Sequence, residues 1–447
     1  MFDAYNMRYK KYGAIYKERY APAITIVVVT DYKEYSKVMR ADGKMPTRIP
    51  LEPLLTYRLK NKLGAGMVNG NGETWYKYRT AINKKMLRPK EVVQYMEPMD
   101  DVAKDLVELL ALSKDDNAIV HDLNDILFRW SMESVNTFLL DARLGTLKEV
   151  PDVDTMEVVT NIIGVFRCMQ KLMFDLPFYK SFPTPMWRKF ENHCGRAIGA
   201  SLKIVNQRLE ELNQGGEVDE NKRQCLVSYL LAGQGLSNFE IGVMLVELMV
   251  GSVETASNSL MWTLYLLSKN PGCQQTLFNE VQEVLGSDCD VITPEMMEKL
   301  RYTKACIKEA QRLYPVTFAT SRLLNEDVEI LGYRVPAGTH IQANTCTLCR
   351  NGDVFSQPND FIPERWLNER SEDMGVVNLV WGHGARMCIG RRLAEQEMHL
   401  GLARIISRFH VFYPELLPPE PVLHTVMTSS AHMSMKFIER SSMISKN

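Results

Sequence analysis

The stretch Trp381-Gly382-His383-Gly384-Ala385-Arg386-Met387-Cys388-Ile389-Gly390 decides the reading of this 447-residue chain. Residues 389 to about 409 carry a helical pattern, so Cys388 stands at the mouth of a helix. The free N–H groups and dipole of a helix N-terminus favour an anionic sulfur, the form that ligates a metal. Gly382, Gly384 and Gly390 free the backbone to lie close to a flat ligand, and Arg386 is placed to pair with a carboxylate. A buried cysteine in a glycine-rich loop is the duller reading, and the rest of the chain decides between the two.

Working outward, the longest helical pattern begins at the capping box Ser237-Asn238-Phe239-Glu240. It runs to Ser268 and stops at Asn270-Pro271-Gly272, a length on the order of 45 Å. Its middle carries Gly251-Ser252-Val253-Glu254-Thr255, an acid beside an alcohol. A second helix is predicted from Tyr302 to Tyr314, ending before Pro315. It sets Glu309 and Arg312 three residues apart on one face, and Pro363-Glu364-Arg365-Trp366 follows. Trp75 and Arg79 stand at helical i, i+4 spacing. Strand character is confined to Thr25–Val29, to Val328–Val335 and to a short segment after the turn Pro336-Ala337-Gly338. The fold class is mainly α with a small β portion.

These motifs together resemble the cytochrome P-450 family. The loop matches F-x-x-G-x-R-x-C-x-G with Trp381 in place of Phe. The middle of the long helix matches A/G-G-x-D/E-T with Ser252 where Gly is usual. Trp75–Arg79 matches W-x-x-x-R, and Glu309–Arg312 with Arg365 matches E-x-x-R followed by P-E-R-F/W. The resemblance implies haem b as cofactor, with Cys388 as the axial thiolate to iron and Trp381 shielding the sulfur. It implies Trp75, Arg79, Arg322 and Arg386 as holders of the haem propionates, with Gly390 shaping the loop. Glu309, Arg312 and Arg365 would form a structural network behind the haem, and Glu254 and Thr255 would deliver protons where the long helix loosens. The match runs from Tyr12-Gly13 to Phe437, so residues 1–447 are read as one catalytic domain of the P-450 fold, its long central helix over the haem.

Finer features resemble the mitochondrial branch. Gly390-Arg391-Arg392 opens the helix after the thiolate, and Lys304 and Lys308 lie one turn apart on the helix that carries Arg312. In that branch such residues dock an acidic, adrenodoxin-like ferredoxin, which its reductase supplies with electrons. Leu51-Glu52-Pro53 and the stretches 253–262 and 386–395 look most like the vitamin D side-chain hydroxylases. The implied activity is O2-dependent hydroxylation of an apolar sterol- or secosteroid-like substrate, on the matrix side of the mitochondrial inner membrane. The rivals are a xenobiotic or ecdysteroid-type hydroxylase of the same family and, from another class, a haem-based ligand sensor. Substrate contacts would come from Leu51–Val68, Phe174–Trp187, Val316–Ser321 and the stretch near Val426–Ser430.

Bulk properties set outer bounds. A formal net charge of −1 excludes nucleic acid as a charge-recognised partner, because phosphates demand a basic surface. Nine cysteines without a framework spacing read as free thiols of a reducing compartment. No apolar run approaches the ~20 residues of a membrane span, and Met1 to Tyr20 does not read as a signal peptide. A targeting segment is therefore expected to be absent or removed. Phe174 to Trp187 mixes aromatics, prolines and lysine, which suits peripheral contact with a membrane interface. Gly215 through Lys222 reads as a surface loop.

Overall fold

The computed structural model describes residues 2–21, 24–214, 223–286, 289–367 and 374–441. The loop expected at 215–222 lies outside the described residues. The long helix spans Asn238–Lys269, and its capping box is formed: Ser237 Oγ accepts from the Glu240 N–H, and the Glu240 carboxylate accepts from the Ser237 N–H. From Ile241 to Ser268 this helix is buried on almost every side, so it is apolar all round rather than amphipathic. It crosses between Leu123–Leu140, Pro185–Gln214, Arg301–Leu313 and Arg391–Arg408. The dominant apolar core forms around it.

A smaller core lies against a four-stranded sheet. The strand order is Ile15–Ala21, Ile24–Val29, His340–Asn344, Ala319–Leu323, with the middle pair parallel and the outer pairs antiparallel. Ile26 to Val29 are all buried, with no alternation between a core and a solvent face. The strand is interior to the sheet and covered on both faces, which selects a continuous apolar run. The expected single strand Val328–Val335 is instead a hairpin, Val328–Ile330 paired with Tyr333–Val335. Leu331 and Gly332 form its tip with φ of +50° and +79°, the left-handed pair that a two-residue hairpin turn needs.

Candidate active site

The Trp381–Gly390 loop is built by its glycines and its own hydrogen bonds. Gly382 and Gly384 have φ of +72° and +67°, which L side chains rarely adopt. Gly390 has φ of −83° as the cap of the Arg391–Arg408 helix, so no left-handed backbone demands glycine there. The Cys388 N–H donates to the Trp381 carbonyl at 2.7 Å, and the Met387 N–H donates to Gly384 at 3.0 Å. Cys388 opens into a cavity of about 390 Å³, whose walls include Trp381, Gly251, Thr255, Ala256 and Val316. Burial pushes its thiol up; the Gly390 N–H and the charges of Arg79, Arg48 and Arg391 pull the other way.

Four arginines gather beside that sulfur. Arg386 donates to the carbonyls of Pro46 and Gly70 and to Asn71 Oδ1, at 2.9, 2.8 and 2.7 Å. Its guanidinium also stacks 4.0 Å above the ring of Trp75. Arg79, on the Gly72–Leu87 helix with Trp75, is buried, and its Nε has no hydrogen-bond partner. Arg322 is fully enclosed: Nε donates to Asp42, Nη1 to the Ser321 carbonyl and Nη2 to the His383 carbonyl. The fourth, Arg48, was not read from the sequence. It lines the cavity with Arg386 and donates to the Arg386 carbonyl at 3.3 Å. Burial lowers Arg79 to about 10, and burial together with repulsion from neighbouring arginines lowers Arg48 to about 10 and Arg386 to about 9. Among the described residues the carboxylate ion-paired within the group is Asp42, on Arg322, which leaves surplus positive charge beside the cavity.

On the opposite wall, Thr255 faces the cavity, and its Oγ1 donates to the carbonyls of Gly251 and Ser252 at 3.0 and 3.1 Å. Ser252 Oγ bonds back to the Met249 carbonyl at 2.8 Å. Here the structure corrects an expectation: the helix is α-helical throughout Gly251–Thr255 and does not loosen. Both hydroxyls are satisfied by back-bonding to the preceding turn, so nothing forces the ladder open. Glu254 is buried, and burial holds its carboxyl well above the usual range, opposed by the charge of Arg167. Arg167 is exposed on the Val153–Phe174 helix, so Glu254 lies between the helix interior and a solvent-facing cation.

Behind the loop, Glu309 is fully buried and accepts from four side-chain and backbone groups. Arg312 Nε and Nη2 donate to it at 2.9 and 2.8 Å, Arg365 Nε at 3.0 Å, Trp366 Nε1 at 2.9 Å and the Ile362 N–H at 3.0 Å. Arg312 also donates to the carbonyls of Cys349, Pro358 and Asp360. The four-residue motif on one helix thus ties in the chain at Cys349 and the stretch from Pro358 to Trp366.

Lys304, Lys308, Arg391 and Arg392 are brought to one face, with an acid among them. Glu395 pairs with Arg391 at 2.8 Å and Arg392 at 3.4 Å, and its charge also acts on both lysines. Lys308 lies 4.6 Å over the Trp366 ring; burial and Arg391 lower its ammonium to about 8. Among the described residues no helix is long and apolar enough to cross a membrane. Phe174, Leu176, Phe178 and Phe182 are each more than half exposed.

Comparison with known families matches residues 1–437 to Cytochrome P450. The chain is 38% identical to "Cytochrome P450 10" of Lymnaea stagnalis, covering 98% of this chain and 81% of that protein. It is 29% identical to the mitochondrial 1,25-dihydroxyvitamin D(3) 24-hydroxylase of Mus musculus, over 97% of this chain and 83% of the relative. It is also 29% identical to the mitochondrial sterol 26-hydroxylase of Rattus norvegicus, over 96% and 83%. The residues present fit a haem: the surplus guanidinium charge and the orphaned Arg79 Nε suit its carboxylates, and Cys388 supplies a sulfur donor at the cavity floor. The chain therefore belongs to the cytochrome P450 family and is a monooxygenase of that family, which uses haem with a cysteine thiolate as axial ligand.

Proposed function

We propose that this enzyme hydroxylates an apolar sterol- or secosteroid-like substrate with electrons from an acidic ferredoxin, on the matrix side of the mitochondrial inner membrane. The observation that carries the reading is the cavity that joins Cys388 to Thr255, with Ile49, Leu51, Val68, Ala256, Val316 and Ala319 among its walls. Such walls select a substrate by apolar contact and shape, and polar side chains among them, Ser259, Gln311, Thr317, Thr320 and Ser321, orient it. Relatives named mitochondrial sterol and vitamin D hydroxylases support the substrate class and compartment.

Bound through Cys388, haem supplies O2 activation, which thiolate donation favours. In this reading Arg48, Arg79 and Arg386 hold its carboxylates, and Trp75 fixes the plane of Arg386. Arg322 acts one step back, holding the His383 carbonyl and so the loop. Thr255 Oγ1 presents a hydroxyl to the cavity and passes a proton inward. Glu254, whose carboxyl burial pushes up, resupplies that proton and is recharged toward Arg167 and solvent. The exposed Phe174–Phe182 surface rests in the membrane interface, where apolar substrates accumulate.

The test is a ligand screen of the haem-loaded enzyme against sterols, secosteroids and ecdysteroids, read by the Soret shift, followed by substrate-dependent oxygen uptake with ferredoxin and its reductase. A shift with secosteroids and uptake that requires ferredoxin support the proposal. A response confined to ecdysteroids moves the substrate class, and uptake driven only by a diflavin reductase overturns the donor. Ligand binding without any oxygen uptake marks a sensor.

A further inference from the structure

Residues 48–71 fold as a closed unit above the cavity. Its ends are tied where the Arg48 N–H donates to Asn71 Oδ1 at 3.0 Å and the Leu51 N–H donates to Asn69 Oδ1 at 2.8 Å. Arg48, Ile49, Leu51 and Val68 from this unit line the cavity across from Gly251 and Thr255. Toward the solvent it is held by two ion pairs between partly exposed groups, Glu52–Lys180 and Lys60–Glu191. Pairs of that kind contribute little.

The link to the central helix is of another kind. Arg58 Nη1 lies 3.0 Å from Glu247 Oε1, with the two side chains only 3% and 5% exposed. The second Glu247 oxygen accepts from the Met67 N–H at 2.7 Å, while Arg58 Nε and Nη2 donate to the carbonyls of Gly64 and Leu63 at 2.9 and 3.1 Å. Arg58 thereby holds both the loop turn and the helix, and Glu247 holds the start of the turn that carries Val68. Glu247 stands one turn before Gly251 and two before Thr255 on the same helix. Gly66 confirms how tight the junction is: with φ of +70°, a Cβ there would stand 2.1 Å from Glu247 Oε1 and 2.6 Å from Arg58 Nη2. A buried ion pair is a poor source of net stability compared with apolar packing, but it tolerates only one register. In the sequence Glu247 stands out only as a carboxylate interrupting the apolar run after Ile241, Arg58 is unmarked, and the proton-delivery and haem-holding groups do not include them.

We propose that Arg58 and Glu247 are positioning residues that lock the 63–68 wall against the central helix and so set the rate at which bulky ligands enter and leave the cavity. The inference rests on the family-level chemistry and not on the sterol assignment. Ligands small enough to pass the wall are indifferent to the lock, whereas ligands larger than the opening must wait for it to release.

The experiment uses the haem-loaded enzyme with two nitrogen ligands, imidazole and clotrimazole, whose dissociation is followed by chasing the reduced complex with carbon monoxide. Glu247→Gln keeps the shape and removes the charge. It should speed clotrimazole loss at least tenfold, leave imidazole loss within twofold, and speed amide exchange of residues 59–70. If Glu247→Gln does not take up haem, Gly66→Ala keeps both charges but wedges them apart, and the same selective acceleration is expected. Unchanged clotrimazole loss in the haem-loaded variant, or equal acceleration of both ligands, overturns the proposal, even where thermal stability falls.

Discussion

The backbone N–H of Cys388 donates a 2.7 Å hydrogen bond to the carbonyl of Trp381. That bond closes the loop on itself, so the sulfur and the indole are presented by one rigid turn. Arg386, between them, is clamped by Pro46, Gly70 and Asn71. With loop geometry fixed by other residues, Cys388→Ala should leave the fold intact and lose only the sulfur donor. The ferrous carbon-monoxide complex of the wild type should show the strongly red-shifted Soret band of thiolate ligation. The variant should lack it, and a variant that kept the band would remove Cys388 from the role.

Thr255 spends its hydroxyl on the carbonyls of Gly251 and Ser252 while facing the cavity. Removing it deletes no packing of consequence and leaves those carbonyls in their helical bonds. Thr255→Ala should therefore bind haem and substrate normally but divert reducing equivalents to peroxide, with product per electron falling at least several-fold. Unchanged coupling would assign proton delivery to another group, Ser252 first.

Glu309 pairs with the buried guanidinium of Arg312 and the part-buried one of Arg365, and also accepts from an indole N–H and a backbone N–H. Glu309→Ala strands both cations, and breaking a buried pair from one side costs about 3–5 kcal/mol. Denaturant unfolding of the haem-free chain should shift by that order, and haem incorporation should fail at expression temperature. A shift below about 1 kcal/mol would mean that the network is not structural.

How much of this was legible depended on whether partners were close in sequence. The Cys388 loop, Glu309–Arg312 and Trp75–Arg79 were readable because one loop or one helical turn contains the chemistry. The hairpin at Leu331–Gly332 was missed although Gly332 marked it, because the flanking residues read as one continuous run. Arg48 and Asp42 join the arginine cluster from a segment with no periodic signal, and Arg58 meets Glu247 only through the fold. Glu395 was different: it stands i+4 from Arg391 and i+3 from Arg392, so its place in the basic patch was visible at helical spacing.

Glu397 sets a pH dependence. It is 2% exposed on the Arg391–Arg408 helix, its Oε2 has no hydrogen-bond partner, and burial raises its carboxyl to about 8, opposed by Ser134. Between the ordinary carboxylate range and pH ~8 the folded chain holds a proton that the unfolded chain has lost. Stability contributed by this group is thus full at low pH and falls as pH rises through the folded value, by about 3–5 kcal/mol at most. Unfolding midpoints measured from pH 5.5 to 9 should decline for the wild type and flatten in Glu397→Gln. Parallel curves for the two proteins would show that the carboxyl titrates near its ordinary value.

The last prediction concerns the electron donor. Lys304 and Lys308 share a helix face, and Arg391 and Arg392 begin the helix just past Cys388, so the four form a patch on the thiolate side. With a net charge of −1, the proposed steering of an acidic ferredoxin would depend on this local field. Screening acts over about 8 Å at physiological ionic strength, so the contact weakens with salt. Lys304→Glu with Lys308→Glu should raise the ferredoxin concentration needed for half-maximal turnover about tenfold, while peroxide-driven turnover is spared. Glu395 opposes the patch from within through its pairs with Arg391 and Arg392, so Glu395→Gln should act the other way and lower that concentration. Lys308 adds a pH signature: its ammonium, held at about 8, is lost as pH rises through that value, and the ferredoxin requirement should climb with it. Lys308→Arg should abolish that climb, since guanidinium keeps its charge. If the lysine and glutamate variants move the ferredoxin requirement in the same direction, or neither moves it, the donor docks elsewhere.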